Sequence, residues 1–278
     1  MPSYSEWTGK QETTTVTVDG HTVDMAYRDV GDGFPVLFLH GIPTNSYLWR
    51  EVAPAFEDEY RTIVPDMVGY GNSEMSDDFD RSIRAQEIAI DGLLDELEID
   101  SCAFVGHDLG GGVGLRLAAH QPERVSQLVL SNAVAYDSWP VQFITDIGLP
   151  SFPRENSPEE VREMVAGTFR EGAYGEPSEE FVEGMVEPWS SKDGVVSLSR
   201  AAVSTNTNHT TEIDPSEIEA KTLLLWGAED DFQPMEYAER LDKDIAESEL
   251  VALEEAFHWV IEDRPEAYRE HLREFLDG

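Results

Sequence analysis

The chain of 278 residues carries a single cysteine, Cys102, and only four lysines beside fifteen arginines. One thiol excludes an intramolecular disulfide framework and any cysteine-built zinc or iron–sulfur centre. Nineteen basic side chains stand against 57 acidic ones, a formal net charge of −38. A basic face for phosphate contacts is therefore missing, which excludes nucleic acid as a partner and anionic lipid as a docking surface. No apolar run approaches the roughly 20 residues that a membrane span needs. The start Met1-Pro2-Ser3-Tyr4-Ser5-Glu6 shows neither the basic nor the apolar part of a secretory leader.

What is present is a core. A hydrophobic content of 40%, with 10% aromatics, separates the chain from disordered acidic segments. Its length suits one large α/β domain or two small ones, and suffices to bury a full interior. The net charge strains a compact state by self-repulsion at ordinary ionic strength. In molar salt the screening length falls to about 3 Å and the strain largely vanishes. The composition is thus the one expected of a cytoplasmic protein from an extreme halophile.

Along the chain, apolar runs alternate with helical patterns. Residues 13–30 read as a hairpin turning at Asp19-Gly20. Val36–Leu39, Arg61–Pro65, Cys102–Val105, Val125–Leu130, Thr222–Trp226 and Leu250–Leu253 read as strands, the continuous apolar runs among them as strands buried on both faces. Between them lie helix patterns at Ser46–Phe56, 81–97, up to about His120, from Met235 and from Arg264. From Ser131 to about Ile218 the alternation stops, and the stretch is expected to be helical. This predicts a mostly parallel, doubly wound sheet. Residues 1–131 and 218–278 would form its core, and 132–217 an inserted helical block.

The chemistry centres on Gly106-His107-Asp108-Leu109-Gly110, between a buried strand and a helix. This is a Gly-x-nucleophile-x-Gly turn with Asp in the nucleophile slot. The corner is sharp, so the flanking positions must be small, and it sets the central side chain at a helix N-terminus that favours an anion. Alone, the motif also fits a turn whose Asp merely caps the helix. An acid and a histidine should follow at the ends of later strands. Asp230 follows strand 222–226 in Gly227-Ala228-Glu229-Asp230-Asp231, with Glu229, Asp231 and Asp137 as rivals, and His258-Trp259 follows Leu253. The backbone N–H groups of Ile42 and Leu109 could converge on an Asp108 oxygen as an oxyanion hole. His40 and His107 read as structural. No metal or organic cofactor is required.

These motifs, with His40-Gly41-Ile42-Pro43-Thr44-Asn45-Ser46-Tyr47-Leu48-Trp49-Arg50, resemble the α/β-hydrolase superfamily over nearly the whole chain. Within it they resemble the haloalkane dehalogenase and epoxide hydrolase branch, whose nucleophile is Asp. The resemblance implies a small apolar organic substrate that forms an ester with Asp108. Water activated by His258, itself oriented by Asp230, then cleaves it. Dehalogenases usually hold the halide with a Trp after the nucleophile and often an Asn after His-Gly. Leu109 and Ile42 stand there instead, so replacement donors are expected from the inserted block: Trp139, Trp189, Asn206 or Asn208. Epoxide hydrolases use two tyrosines of that block, for which Tyr136 and Tyr174 are the candidates. An esterase or lactonase, and a non-catalytic ligand-binding member of the scaffold, are the remaining alternatives. No signature of an oligomeric state appears.

Overall fold

The computed structural model describes residues 2–278. Eight strands form one sheet: β1 (Glu12–Val18), β2 (His21–Val30), β3 (Phe34–Leu39), β4 (Tyr60–Pro65), β5 (Cys102–His107), β6 (Val125–Ser131), β7 (Lys221–Gly227) and β8 (Ser248–Leu253). Their order is β1-β2-β4-β3-β5-β6-β7-β8. β1 and β2 pair antiparallel, as does β2 with β4, and every later pair is parallel. The hairpin turns at Asp19-Gly20, both with positive φ. β5 is buried at every position because helices cover both faces of the sheet centre.

The order jumps from β4 back to β3 and on to β5, so the chain winds outward in two directions from the centre. In such sheets the loops at the carboxyl ends of the central strands open a crevice. Those loops are the ones carrying His40-Gly41-Ile42, Asp108, Asp230 and His258. The helix Ile83–Glu96 buries Ile83, Ile90, Leu93 and Leu94 on one stripe, with Ser82 capping its first turn. The pattern over Ser46–Phe56 becomes two short 3-10 turns, Ser46–Glu51 and Ala53–Ala55, rather than one helix. Pro54 stands near its end, where an α-helix would lose a backbone donor.

Between β6 and β7 the chain forms helices and no strand. The longest of them, Pro158–Glu171, starts with a Ser157/Glu160 capping box and turns Val161, Val165 and Phe169 inward. Hydrogen bonds tie this block to the loops at the sheet ends. Trp189 donates to the Pro43 carbonyl at 2.7 Å, Asn45 to Gly184 at 3.0 Å, and Ser197 to Gly69 at 2.7 Å.

Of the 57 acidic side chains only Asp66, Glu87, Asp108 and Asp230 are buried. The charge is therefore carried by the surface. Screening it should stabilise the fold, and a gain of about 3 kcal/mol corresponds to roughly 10 °C in melting temperature at this chain length. The expected result is a melting temperature that climbs by about that much between low salt and molar KCl. A curve that stays flat or falls would remove the salt-adaptation reading. No helix among the described residues is long and apolar enough to cross a membrane.

Candidate active site

Asp108 occupies the corner between β5 and the helix Leu109–His120, with φ 51° and ψ −118°. The strain is held by glycines at either side. A Cβ on Gly106 would come within 2.5 Å of the Gly110 carbonyl oxygen, and one on Gly110 within 2.3 Å of the Leu39 carbonyl oxygen. Gly41 faces the carboxylate itself, where a Cβ would lie 2.2 Å from Asp108 Oδ1. The main chain of the β3 loop can thus approach close enough for the Ile42 N–H to donate to Oδ1 at 2.8 Å. The nearby Leu109 N–H also pulls the titration of this carboxyl downward.

His258 lies beside the other oxygen, with Nε2 3.8 Å from Asp108 Oδ2. Its Nδ1 meets Asp230 Oδ2 at 2.9 Å. That contact fixes the ring as an Nδ1–H donor with Nε2 turned to Asp108. Asp230 is itself fully engaged. Oδ2 also accepts from Asn132 at 2.6 Å and Oδ1 from the Phe232 N–H at 2.7 Å. The rivals lie elsewhere: Glu229, Asp231 and Asp137 are exposed. Asn132 is a contributor that the sequence reading missed. It is completely buried, and its Oδ1 accepts from the Gly227 N–H at 3.2 Å. The only sequence signal was a lone Asn directly after β6.

The flanking histidines are tied down or enclosed. His40 accepts from the Met67 N–H through Nε2 and meets the Gly41 carbonyl through Nδ1 at 2.9 Å, which braces the loop that presents Ile42. His107 is fully buried with its ring 4.8 Å from that of His258. Asp263 accepts from the Phe257 and Tyr174 N–H groups at 2.9 and 3.0 Å. One carboxylate thus joins the His258 loop to the inserted block.

Burial pushes the Asp108 carboxyl up to about 6, against the pull of His258 and the two amides. For His258, burial acts downward, but Asp230 and Asp108 outweigh it and the ring stays above its ordinary value. The ionised fraction of Asp108 falls as pH drops through about 6, and any attack by this carboxylate would fall with it. Single-turnover attack should lose half its rate near that pH. Full rate persisting to pH 4.5, roughly the range of an ordinary carboxyl group, would contradict this assignment.

A cavity of about 50 Å³ opens above Asp108, walled by Leu109, Val134, Val141, Phe143, Ile144 and Phe232 among others. That is room for roughly three or four water-sized groups. Of the expected substrate contacts only Trp139 lines it, and its indole N–H is spent on Thr210 Oγ1 at 2.7 Å. The other expectations need correction. Trp189 is buried outside the cavity, with its N–H on Pro43. Tyr136 turns its hydroxyl to Asp244 at 2.8 Å, and Tyr174 is 48% exposed. Asn206 and Asn208 are exposed and bond to one another. The physical reason is shared: polar tips within a helical block seek the nearest backbone or solvent partner, and periodicity does not reveal which.

A sequence profile for the alpha/beta hydrolase fold matches residues 35–265. An uncharacterized hydrolase, YugF, of Bacillus subtilis is 28% identical over 269 residues, which covers 94% of this chain and 96% of that protein. Haloalkane dehalogenase 2 of Mycobacterium tuberculosis is 28% identical over 254 residues, covering 86% and 87%. A crystal structure of an alpha/beta hydrolase fold protein from Burkholderia ambifaria superposes with a TM-score of 0.85 at 24% identity, covering 94% of this chain and 97% of that one.

Proposed function

Since this chain belongs to the alpha/beta hydrolase fold family, we propose that it is a hydrolase that displaces a leaving group from a saturated carbon through an ester on Asp108, in the manner of a haloalkane dehalogenase. The observation that carries this reading is the Ile42 N–H on Asp108 Oδ1 at 2.8 Å. A carboxylic ester substrate would need that donor for its own carbonyl oxygen, and the nucleophile already occupies it. Attack there would also give an anhydride. A substrate with no carbonyl makes no such demand. It needs an ionised nucleophile beside an apolar cavity, and the Asp108 carboxyl bordering the cavity supports that reading.

In this mechanism Asp108 Oδ2 forms a bond to the carbon as the carbon–halogen bond breaks, and the halide leaves with the bonding electrons. His258 Nε2 then takes a proton from water, and the hydroxide attacks the Asp108 carboxyl carbon. Negative charge gathers on Oδ1, where the Ile42 N–H already donates and the Leu109 amide lies near the carboxyl. Collapse breaks the bond to Oδ2, and His258 returns its proton to the departing alcohol. The net change is R–X plus water to R–OH plus HX. Asp230 and Asn132 keep the ring in its working tautomer.

A halide leaves as an anion without a proton, whereas an opening epoxide oxygen needs an acid. No tyrosine is among the residues lining the cavity, which ranks the halide reading above the epoxide one. A short bromoalkane, an epoxide and an activated ester, compared in molar KCl, separate the classes. The bromoalkane should turn over fastest. Single turnover in heavy-oxygen water should place the label in the peptide containing Asp108, because hydroxide replaces one of its oxygens. Turnover without label in that peptide would end the covalent-ester reading.

A further inference from the structure

We propose that Gln233 is the specificity-determining residue of this cavity. On this view the substrate is a short compound with a hydroxyl or similar hydrogen-bonding group one carbon from the reacting carbon. The inference rests on the reading just given and extends it to the substrate class.

Apart from Asp108 and His258, five residues lining the cavity have polar side-chain atoms: Trp139, Trp259, Thr168, Thr205 and Gln233. Three are already committed. Trp139 donates to Thr210, Thr205 to the Ala202 carbonyl at 2.7 Å, and Thr168 to the Met164 carbonyl at 3.4 Å. The Trp259 indole nitrogen is buried without a hydrogen-bond partner and lies against Gly172, where a Cβ would come within 2.6 Å of it. Gln233 remains. It is 2% exposed, and its Oε1 is buried without a hydrogen-bond partner.

A buried carboxamide oxygen without a partner destabilises the fold, and such orphans in native proteins call for a reason. Here the main chain holds the residue in place, because the Gln233 carbonyl accepts the Trp226 indole N–H at 2.8 Å. Gln233 is among the residues that line the space above Asp108 and His258. A ligand group that donates to Oε1 would satisfy it. The 50 Å³ volume confines that group to the neighbourhood of the reacting carbon. A polar group left unpaired by an apolar analogue discriminates far better than a methylene does.

Two isosteric pairs test this: 2-bromoethanol against 1-bromopropane, and glycidol against 1,2-epoxybutane. Each pair exchanges a hydroxyl for a methyl. The protein should prefer the hydroxylated member by roughly 10-fold to 100-fold in kcat/KM. Gln233→Leu and Gln233→Met should bring the ratio close to one, mainly through loss of the hydroxylated substrate. Both variants should melt at or above the temperature of the unmodified chain, since they remove an orphaned polar atom, and this separates a lost contact from a damaged fold. A preference for the methyl member, or equal losses on both members in the variants, would overturn the proposal. An ester on Asp108 formed without any hydroxyl preference removes the role of Gln233 alone. Absence of the ester from both pairs removes the covalent-ester reading, and this inference with it.

Discussion

An enzyme with His258 replaced by glutamine is expected to consume one equivalent of substrate and stop. Attack by Asp108 needs no base, because a carboxylate is already charged above about pH 6. Hydrolysis of the ester does need one, and loss of a positioned general base costs roughly 10²- to 10⁴-fold. Glutamine is neutral and of similar length, and Asp230 keeps its bonds to Asn132 and the Phe232 N–H. The loop should therefore hold its shape. Intact mass should rise by the alkyl group of the substrate, and the burst of released halide should equal one per chain. Steady turnover near the unmodified rate would remove His258 from the mechanism. Absence of a burst, with the substrate still bound, would show that the histidine is needed earlier than this scheme allows.

Asp108→Gly should separate activity from stability in opposite directions. Without the nucleophile, turnover is expected to fall by roughly 10⁴-fold or more. The fold should gain. A non-glycine residue at φ 51° and ψ −118° carries backbone strain of about 1–3 kcal/mol, which glycine relieves. The substitution also removes a buried carboxylate whose titration is pushed upward by that burial. Melting temperature should therefore rise while catalysis disappears, the trade-off expected of a strained catalytic position. Equal melting temperatures would mean that the corner is not strained. Residual turnover within tenfold of the unmodified enzyme would remove Asp108 as nucleophile.

Strands were the most legible part of the sequence, for a physical reason. A strand buried on both faces must be apolar throughout, so runs such as Cys102–Val105 and Thr222–Trp226 announce themselves. The elbow was legible because sterics leave so few residue types for Gly106 and Gly110. Asp230 was separable from Asp231 and Glu229 only by loop spacing, and the structure brings Asp230 alone of the three to His258. The inserted block was legible as helical but not as a cavity wall. The partners of Trp189 and Tyr136 are Pro43 and Asp244, 146 and 108 residues away in the chain. No local pattern encodes such distances. Gln233 and Asn132 escaped for a related reason: a single polar residue beside a motif looks like an ordinary loop residue until its surroundings are known.

The seating of Asp108 Oδ1 on the Ile42 amide has a consequence for how this scaffold could change trades. The acid is its own occupant of the hole, standing where a foreign carbonyl would have to go. Exchange for serine would withdraw that oxygen, leave the two amides free, and put an alcohol within reach of an existing histidine. Asp108→Ser should therefore lose alkyl halide turnover and acquire measurable cleavage of small activated esters. The boundary between two reaction classes would then be one side chain wide.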